Sequence, residues 1–174
     1  MKEQRFRKVV LALICFLSLA QICWAGMGLE INPGQIDVTG VPLGKKVAVS
    51  ALGGERMKLQ IENKGDSKYT YIINILTSLK VGAPLTKGYT DIPDTAWIWP
   101  ENKEVKIAGH GIKTVELYIK IPRKKEYYNK QYKAVIEVKT KKNNPNDVFV
   151  LVCLMEIHFS TLNLDVKEAK NVDK

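Results

Sequence analysis

Cysteine is scarce in this sequence of 174 residues, which contains only three. Cys15 and Cys23 lie in the apolar leading segment, so Cys153 is the one thiol in the rest of the chain. A single thiol cannot form an intramolecular disulfide, and a buried thiol behaves as a small hydrophobic group. We therefore expect packing to stabilise the fold, with Cys153 as a core residue between Val152 and Leu154.

Residues suited to catalysis or metal binding are also few. The two histidines stand apart, His110 in a Gly-His-Gly turn and His158 near the end of the last predicted strand, and neither lies in a metal or nucleophile motif. Asp91 and Asp94 flank Pro93, where turn formation accounts for both carboxylates. No glycine-rich loop follows a strand and opens a helix, which excludes the common phosphate-binding motifs. We expect no enzymatic activity, no catalytic residue, no metal and no cofactor.

Long apolar runs are absent except at the beginning of the sequence. Residues 1–8 carry four basic side chains and one acidic one, and they lead into the apolar run 9–23. That run is shorter than the roughly 20 residues that span a bilayer, and the small residue Ala25 follows it. These features predict a signal peptide at 1–25 and export to the periplasm, the cell exterior or the cell surface. We expect no transmembrane anchor in the mature chain, and export argues against a nucleic-acid partner.

The remaining 149 residues alternate apolar and polar side chains in short segments separated by turn residues. Leu59 and Ile61, for example, alternate with Lys58, Gln60 and Glu62. This pattern predicts an all-β fold, an immunoglobulin-like antiparallel β-sandwich of about seven to eight strands over 26–160, with a polar tail at 161–174. The predicted strands A to G are 29–38, 57–61, 69–79, 104–107, 115–121, 132–138 and 148–159. Strands C, F and G would form one sheet, and A, B and E most of the other.

Three segments carry a resemblance to known proteins. They are 92–99 (Ile-Pro-Asp-Thr-Ala-Trp-Ile-Trp), the strand 115–122 that ends in Ile-Pro, and the Tyr-led strand 132–138. In this order and spacing they resemble bacterial extracytoplasmic immunoglobulin-like domains. The chain is similar to the domains of WxL-interacting cell-surface proteins and, more distantly, to the amino-terminal domain of pilus chaperones. The resemblance implies an immunoglobulin-like fold at the cell envelope.

Strand G is apolar on both of its faces. If Phe149, Leu151, Cys153, Met155 and Ile157 face the core, the alternate side chains face outwards. Together with outward residues of C and F they would form an apolar patch, which an isolated domain normally avoids. The predicted partner-binding residues are Ile72, Leu76, Val135, Val150, Val152 and Leu154. Either a partner protein or a second subunit covers the patch, or the tail does so with Leu162, Leu164 and Val166.

A second group of residues suits carbohydrate or an anionic polymer. Trp97 and Trp99 share a strand parity, so their rings should point to one side, either into the core or outwards as a stacking platform. The basic loop contains Arg123, Lys124, Lys125, Tyr127 and Tyr128, and it is either a polymer-binding site or a solvated loop.

The prediction for function is an exported, non-enzymatic binding or structural module that engages protein components of a bacterial envelope or surface assembly, or associates with itself. One alternative is a module that binds carbohydrate or a cell-wall glycan. The other is a single-domain assembly chaperone of the pilus type, which lends or accepts a strand along the edge of G.

Overall fold

The computed structural model describes residues 28–142 and 149–163 and shows a protein built mainly of short strands. The described strands are β1 (Leu29–Asn32), β2 (Gln35–Val41), β3 (Val47–Ala48), β4 (Leu59–Asn63), β5 (Tyr69–Leu76), β6 (Thr90–Asp91), β7 (Ile98–Pro100), β8 (Glu104–Ile107), β9 (Ile112–Val115), β10 (Leu117–Ile119), β11 (Gln131–Thr140) and β12 (Val152–Thr161). Two short helices are present in the same part of the chain, α1 (Val49–Gly53) and α2 (Ser78–Val81). Single 3-10 turns lie at Glu55–Met57, Thr95–Trp97 and Lys125–Tyr127.

The strands form two layers around one hydrophobic core. The large sheet has the order β2-β12-β11-β5-β8, with β6 added beside β11. The facing layer consists of two small sheets, β1-β4-β9 and β3-β10-β7. Strands predicted as C, F and G are therefore neighbours in one sheet. Predicted strands A, B and E contribute β1, β4 and β10 to the facing layer, where β1 pairs with β4 and β10 belongs to the other small sheet. This arrangement confirms the predicted all-β immunoglobulin-like class, with several predicted strands divided into shorter ones.

Alternation along each strand determines which side chains enter the core. Leu59 and Ile61 are completely buried on β4, whereas Gln60 between them is exposed. On β11 the core-facing set includes Ala134, Ile136 and Val138, and their opposite partners across β12 are Ile157, Met155 and Cys153. A strand with one buried face is fixed in register, since a slip of one residue would expose its apolar set.

The first predicted strand is broken at Pro33-Gly34, as expected, and its two halves join different sheets. β1 pairs antiparallel with β4, whereas β2 pairs in parallel with β12. A second parallel pair joins β6 to β11. The sandwich was predicted to be antiparallel, and it contains these two parallel pairs as well. The pair of β2 and β12 arises because the first strand changes sheets and reaches the outer edge of β12.

The last strand begins later than predicted. We expected Phe149 and Leu151 to face the core, but β12 begins at Val152, and Phe149 is 72% exposed. The reason is the end of its partner: the Thr140 N–H donates to the Leu151 carbonyl at 3.0 Å, and β11 stops there. The predicted signal peptide and most of the predicted tail, residues 164–174, lie outside the described residues.

Candidate functional site

The first half of β12 has one open edge. On one side β11 pairs with Val152–Ser160 throughout, whereas on the other side the register with β2 begins only at Glu156. Within the described ranges no strand pairs with the outer edge of residues 152–155. The nearest feature is β1, where the Cys153 thiol donates to the Leu29 carbonyl at 3.3 Å. In the part of the chain that the structure describes, the outer edge of these four residues is therefore unpaired.

The hydrogen-bond pattern identifies the main-chain groups at this edge. The bond from the Thr140 N–H to the Leu151 carbonyl makes those two residues a hydrogen-bonded pair. Hydrogen-bonded and non-hydrogen-bonded pairs alternate along an antiparallel ladder. Cys153 therefore bonds to β11, while the N–H and C=O groups of Val152 and Leu154 point to the open edge.

The side chains beside this edge are apolar and accessible. Val152 and Leu154 are 49% and 50% exposed, and Val150 is 37% exposed. Residues 149–155 contain no charge and no proline, the features that usually protect an edge strand from pairing. An unpaired edge flanked by exposed apolar side chains can accept an added strand. We call residues 152–155 the β12 edge.

The apolar patch predicted on the outer face of this sheet is not continuous. Glu137 lies between Asn74 and Leu154, and Lys139 lies between Ile72 and Val152. The Glu137 carboxylate accepts a hydrogen bond from the Asn74 amide at 2.7 Å and pairs with Lys139 at 2.9 Å. Burial acts to raise the pKa of Glu137, but the hydrogen bonds from Lys139 and Asn74 lower it. This polar stripe separates Ile72 from the exposed residues of β12.

Val135 does not belong to an exposed patch. It is 1% exposed, because helix α2 packs against β11 over this part of the sheet. Its cross-strand neighbours are the half-buried Leu76 and Glu156. Of the six predicted partner-binding residues, Val150, Val152 and Leu154 are therefore exposed, Ile72 and Leu76 are half-buried, and Val135 is buried.

The alternative cover for the patch, the tail, is only partly described. Leu162 is 46% exposed, and its N–H donates to the Val41 carbonyl at 3.1 Å. It therefore lies at the end of β12 away from Val152. Leu164 and Val166 lie outside the described residues.

A buried ionic cluster at the other half of β12 was missed by the sequence reading. Lys133 is 1% exposed, and its ammonium donates to Glu156 at 2.7 Å and to the Pro84 carbonyl at 2.8 Å. His158 is 5% exposed and lies 3.1 Å from the other Glu156 oxygen and 3.3 Å from Asp37. The hydrogen bond from Lys133 lowers the pKa of the Glu156 carboxyl. The cluster fixes the second half of β12 to β11, to β2 and to the segment after α2.

The cover over this cluster comes from the long crossing between α2 and β6. The Tyr89 ring lies over the His158 ring, with centroids 4.7 Å apart, and Thr86 lies 3.5 Å from the His158 Nε2. Packing and hydrogen bonds therefore bury Lys133 and His158, whereas Glu156 keeps partial access to water, which is the arrangement of a structural network.

The two tryptophans predicted to share one side are separated. Trp97 ends a 3-10 turn and is buried, with its ring against Tyr132 and Tyr127 at centroid distances of 5.6 and 4.8 Å. Trp99 is half-buried on β7 and lies beside Tyr118, with ring centroids 6.0 Å apart. The parity argument was wrong because it assumed extended backbone through Trp97. Of these two described tryptophans, only Trp99 is accessible to a ligand.

The basic loop is divided between core and solvent. Tyr128 is 8% exposed, and Tyr127 is half-buried against Trp97. Arg123, Lys124 and Lys125 are exposed. The two tyrosines therefore anchor the loop, and only its basic residues are presented to solvent.

The residues considered for metal or catalysis have structural partners. His110 is exposed in its turn and lies 2.8 Å from Asp66. Asp91 accepts the Ser78 and Leu79 N–H groups at the start of α2, at 2.8 and 3.0 Å. Asp94 caps the turn before Trp97. Within residues 28–142 and 149–163, no group of three His, Cys, Asp or Glu side chains is placed to hold a metal ion.

The helices in the described part of the chain are short, and none has the length and apolar character needed to cross a membrane.

Comparisons with known proteins give a fold and no family. No protein-family model matches the chain, and no curated protein sequence matches it. PapD-like domain 7 of human CEP192 superposes with a TM-score of 0.55 at 12% identity, over 81% of this chain and 89% of that one. A family 123 glycoside hydrolase from Clostridium perfringens superposes with a TM-score of 0.52 at 12% identity, over 80% of this chain and 28% of the enzyme.

The periplasmic chaperone SfaE gives a TM-score of 0.49 at 14% identity, over 82% of this chain and 64% of the chaperone. The chain thus spans less than two thirds of the length of that chaperone. At these identities the likeness concerns the fold alone, and the chain has a PapD-like, immunoglobulin-like fold.

Proposed function

We propose that this chain is an exported, non-enzymatic module that binds an extended segment of an envelope or surface protein by strand addition at the β12 edge. The observation that carries the proposal is the edge at Val152 and Leu154, which no strand of the described residues pairs, with both side chains about half exposed. In strand addition the main-chain hydrogen bonds supply affinity and alternate side chains supply specificity. The β12 edge offers both kinds of group.

The signal-peptide features support the exported location. The sequence resemblance to WxL-interacting cell-surface proteins supports a protein partner at the envelope or surface. Strand addition is the mechanism predicted from sequence for an assembly chaperone. An envelope or surface protein is the partner predicted for the binding module.

The test replaces Leu154 by proline. The change removes the N–H that points to the open edge and no hydrogen bond to β11, and proline is tolerated on edge strands. The matched control is Leu154→Ala, which removes most of the side chain and keeps the N–H. The probe is a synthetic seven-residue peptide of alternating valine and threonine, and the readout is the amide spectrum of the labelled protein.

We expect the peptide to shift the amide signals of Val152 and Leu154 in the native protein, to bind more weakly to Leu154→Ala, and not to bind to Leu154→Pro. Equal binding to the native and proline variants would contradict the proposal. Sedimentation of the full chain without peptide separates partner binding from self-association, because pairing of two β12 edges would give a dimer that Leu154→Pro abolishes.

One observation favours a second function, carbohydrate binding. Trp99 and Tyr118 form a cross-strand pair on the face of the small sheet β3-β10-β7, with their planes 29° apart. The Lys46 ammonium lies 3.8 Å from the Tyr118 ring centroid and occupies one side of it. If this surface binds glycan, soluble cell-wall fragments will bind the native protein and lose affinity for Trp99→Ala, while Leu154→Pro leaves that affinity unchanged.

A further inference from the structure

A groove of about 750 Å³ lies between β5 and β7, beyond the end of β8. Its lining includes Ile75 and Leu76 from β5, Ile98 and Trp99 from β7, and the exposed Lys80 and Lys103. It also reaches Glu137 and Lys139 on β11, but it runs along β5, whereas the β12 edge is on the opposite side of β11.

One wall of the groove is an unpaired stretch of β5. The register with β8 ends at Ile72, and the last bond on that side runs from the Ile73 N–H to the Lys103 carbonyl at 2.9 Å. The Lys141 N–H donates to the Thr70 carbonyl at 2.7 Å, which fixes the alternation of the β5-β11 ladder. Counting along that ladder, the N–H and C=O groups of Ile75 point away from β11 and into the groove.

The opposite wall is the free edge of β7. The Glu101 N–H donates to the Glu116 carbonyl at 2.8 Å, so the alternation directs Ile98 and Pro100 away from β10. The Ile98 N–H donates to the Thr95 carbonyl, and Pro100 has no N–H. This wall therefore offers carbonyl acceptors alone. The β5 wall offers a donor and an acceptor, the N–H and C=O of Ile75. An incoming strand needs both kinds of group to pair with that wall.

The charge around the groove is positive. Lys80, Lys103 and Lys139 line it together with a single carboxylate, Glu137, which already pairs with Lys139. Within the described residues neither Lys80 nor Lys103 lies within ion-pair distance of a carboxylate. Burial acts to raise the pKa of Glu137, whereas the hydrogen bonds from Lys139 and Asn74 lower it. The positive charge of Lys80 makes a smaller contribution to this lowering. Two ammonium groups with no ion-pair partner among the described residues therefore lie beside strand edges, which favours an acidic ligand.

We propose that this groove binds an extended acidic segment of a partner protein, paired as a strand with β5 at Ile75 and with its carboxylates at Lys80 and Lys103. A polypeptide is favoured over an anionic glycan because the groove walls present main-chain groups at strand geometry. This site is additional to the proposed strand addition at β12 and does not depend on it.

The probe is the capped peptide Glu-Val-Glu-Val-Glu-Val, with Lys-Val-Lys-Val-Lys-Val as its charge-reversed counterpart. Calorimetry gives the affinity and the amide spectrum gives the location, with the Ile75 amide as the reporter. The test variant is Lys80→Glu with Lys103→Glu. The matched control is Lys68→Glu with Lys113→Glu, which changes the net charge equally at two exposed lysines outside the groove.

We expect the acidic peptide to shift the Ile75 amide and the basic peptide to leave it unchanged. The groove variant should weaken binding by roughly tenfold or more at low salt, and the control variant much less. Equal losses in both variants would show attraction to the overall positive charge, which would overturn the proposal.

Two further arms distinguish the peptide from other anions. A version of the acidic peptide methylated on alternate main-chain nitrogens should lose its affinity, because it cannot donate to the groove walls. Alginate, an anionic polysaccharide, should not compete with the unmethylated peptide. Binding of alginate and of the methylated peptide with undiminished affinity would refute strand pairing. The acidic peptide should bind Leu154→Pro as tightly as it binds the native protein. This result would show that the groove acts independently of the β12 edge.

Discussion

The buried pair of Lys133 and Glu156 should make the two residues unequal in their contributions to stability. Lys133 is 1% exposed, whereas the Glu156 side chain is 36% exposed, so only the carboxylate has access to water. Removing one partner of a buried ion pair leaves an uncompensated charge and costs about 3–5 kcal/mol in fully buried cases. Glu156→Gln leaves the ammonium buried, whereas Lys133→Met removes the buried charge itself.

The magnitude for each change follows from what remains around it. After Glu156→Gln, the ammonium keeps the Pro84 carbonyl at 2.8 Å, and the lost carboxylate was already partly solvated. We therefore expect a loss of about 2 kcal/mol in the free energy of unfolding. Methionine replaces most of the volume of the lysine stem, and Glu156 can turn to water, so Lys133→Met should cost less than about 1 kcal/mol. The double variant should be close to Lys133→Met alone.

The assay is urea unfolding at pH 7, followed by tryptophan fluorescence, to which the buried Trp97 contributes. The four proteins of the cycle give the coupling free energy directly. If Lys133→Met lowers the free energy of unfolding more than Glu156→Gln does, the buried ammonium is not the group that needs its partner. That outcome would refute this explanation.

The same pair should produce a dependence of stability on pH. The hydrogen bond from Lys133 lowers the pKa of Glu156 from its ordinary value of 4.5. A carboxyl with a lowered pKa in the folded state contributes stability that is present above 4.5 and is lost as the pH falls through the folded value. The Glu156→Gln variant should lose this part of the acid dependence, which unfolding curves at several pH values below 5 will measure.

Two other buried polar groups give further predictions. The Tyr71 ring is completely buried and its hydroxyl has no hydrogen-bond partner in the described part of the chain, so Tyr71→Phe should leave the free energy of unfolding unchanged or raise it by up to about 1 kcal/mol. Burial raises the pKa of Tyr71 to about 12, so an absorbance titration should show one tyrosine ionising last, and stability due to its neutral form should be lost between pH 10 and 12. Asn63 is completely buried, and its amide joins the Ser67 and Ala108 carbonyls and the Gly65 N–H, so Asn63→Ala should cost about 3 kcal/mol in urea unfolding.

The fold could be predicted from sequence because a two-residue period is a local signal. Leu59 and Ile61 identify β4 without reference to any other strand, and the same alternation identifies β11. The partition into two sheets followed from the order of these strands in an immunoglobulin-like fold. The two-residue period of a strand gives no information on the length of the strand that pairs with it. The exposure of Phe149 is a consequence of where β11 ends, and no pattern around Phe149 itself records it.

The tryptophan error has a different physical origin. Parity assigns sides only to extended backbone, and a 3-10 turn between two residues changes their relation. Here the Asp94 carboxylate accepts the Ala96 N–H at 2.8 Å and starts the turn that ends at Trp97. Aspartate is a preferred N-cap residue, so Asp94 is a signal in the sequence for this turn.

The ionic cluster could not be predicted from local sequence. On β11 a lysine at an outward position is expected in solvent, and Lys133 is buried because the segment from Pro84 to Tyr89 crosses above it. That crossing is an irregular loop whose path depends on long-range contacts. Val135 was misplaced on the exposed face for a related reason, the packing of α2.

The two halves of β12 should also differ in local stability, and amide hydrogen exchange will show this. From Glu156 onwards the strand is paired on both sides and fixed by the Lys133 cluster, so successive amides should be protected. In residues 152–155 only Cys153 and Met155 bond to β11, so protection should alternate, with fast exchange at Val152 and Leu154. Strong protection at both of these amides would mean that the edge is already paired in the purified protein. Protection that rises with protein concentration would then indicate pairing with a second copy. Protection that does not change would indicate pairing with another part of the same chain.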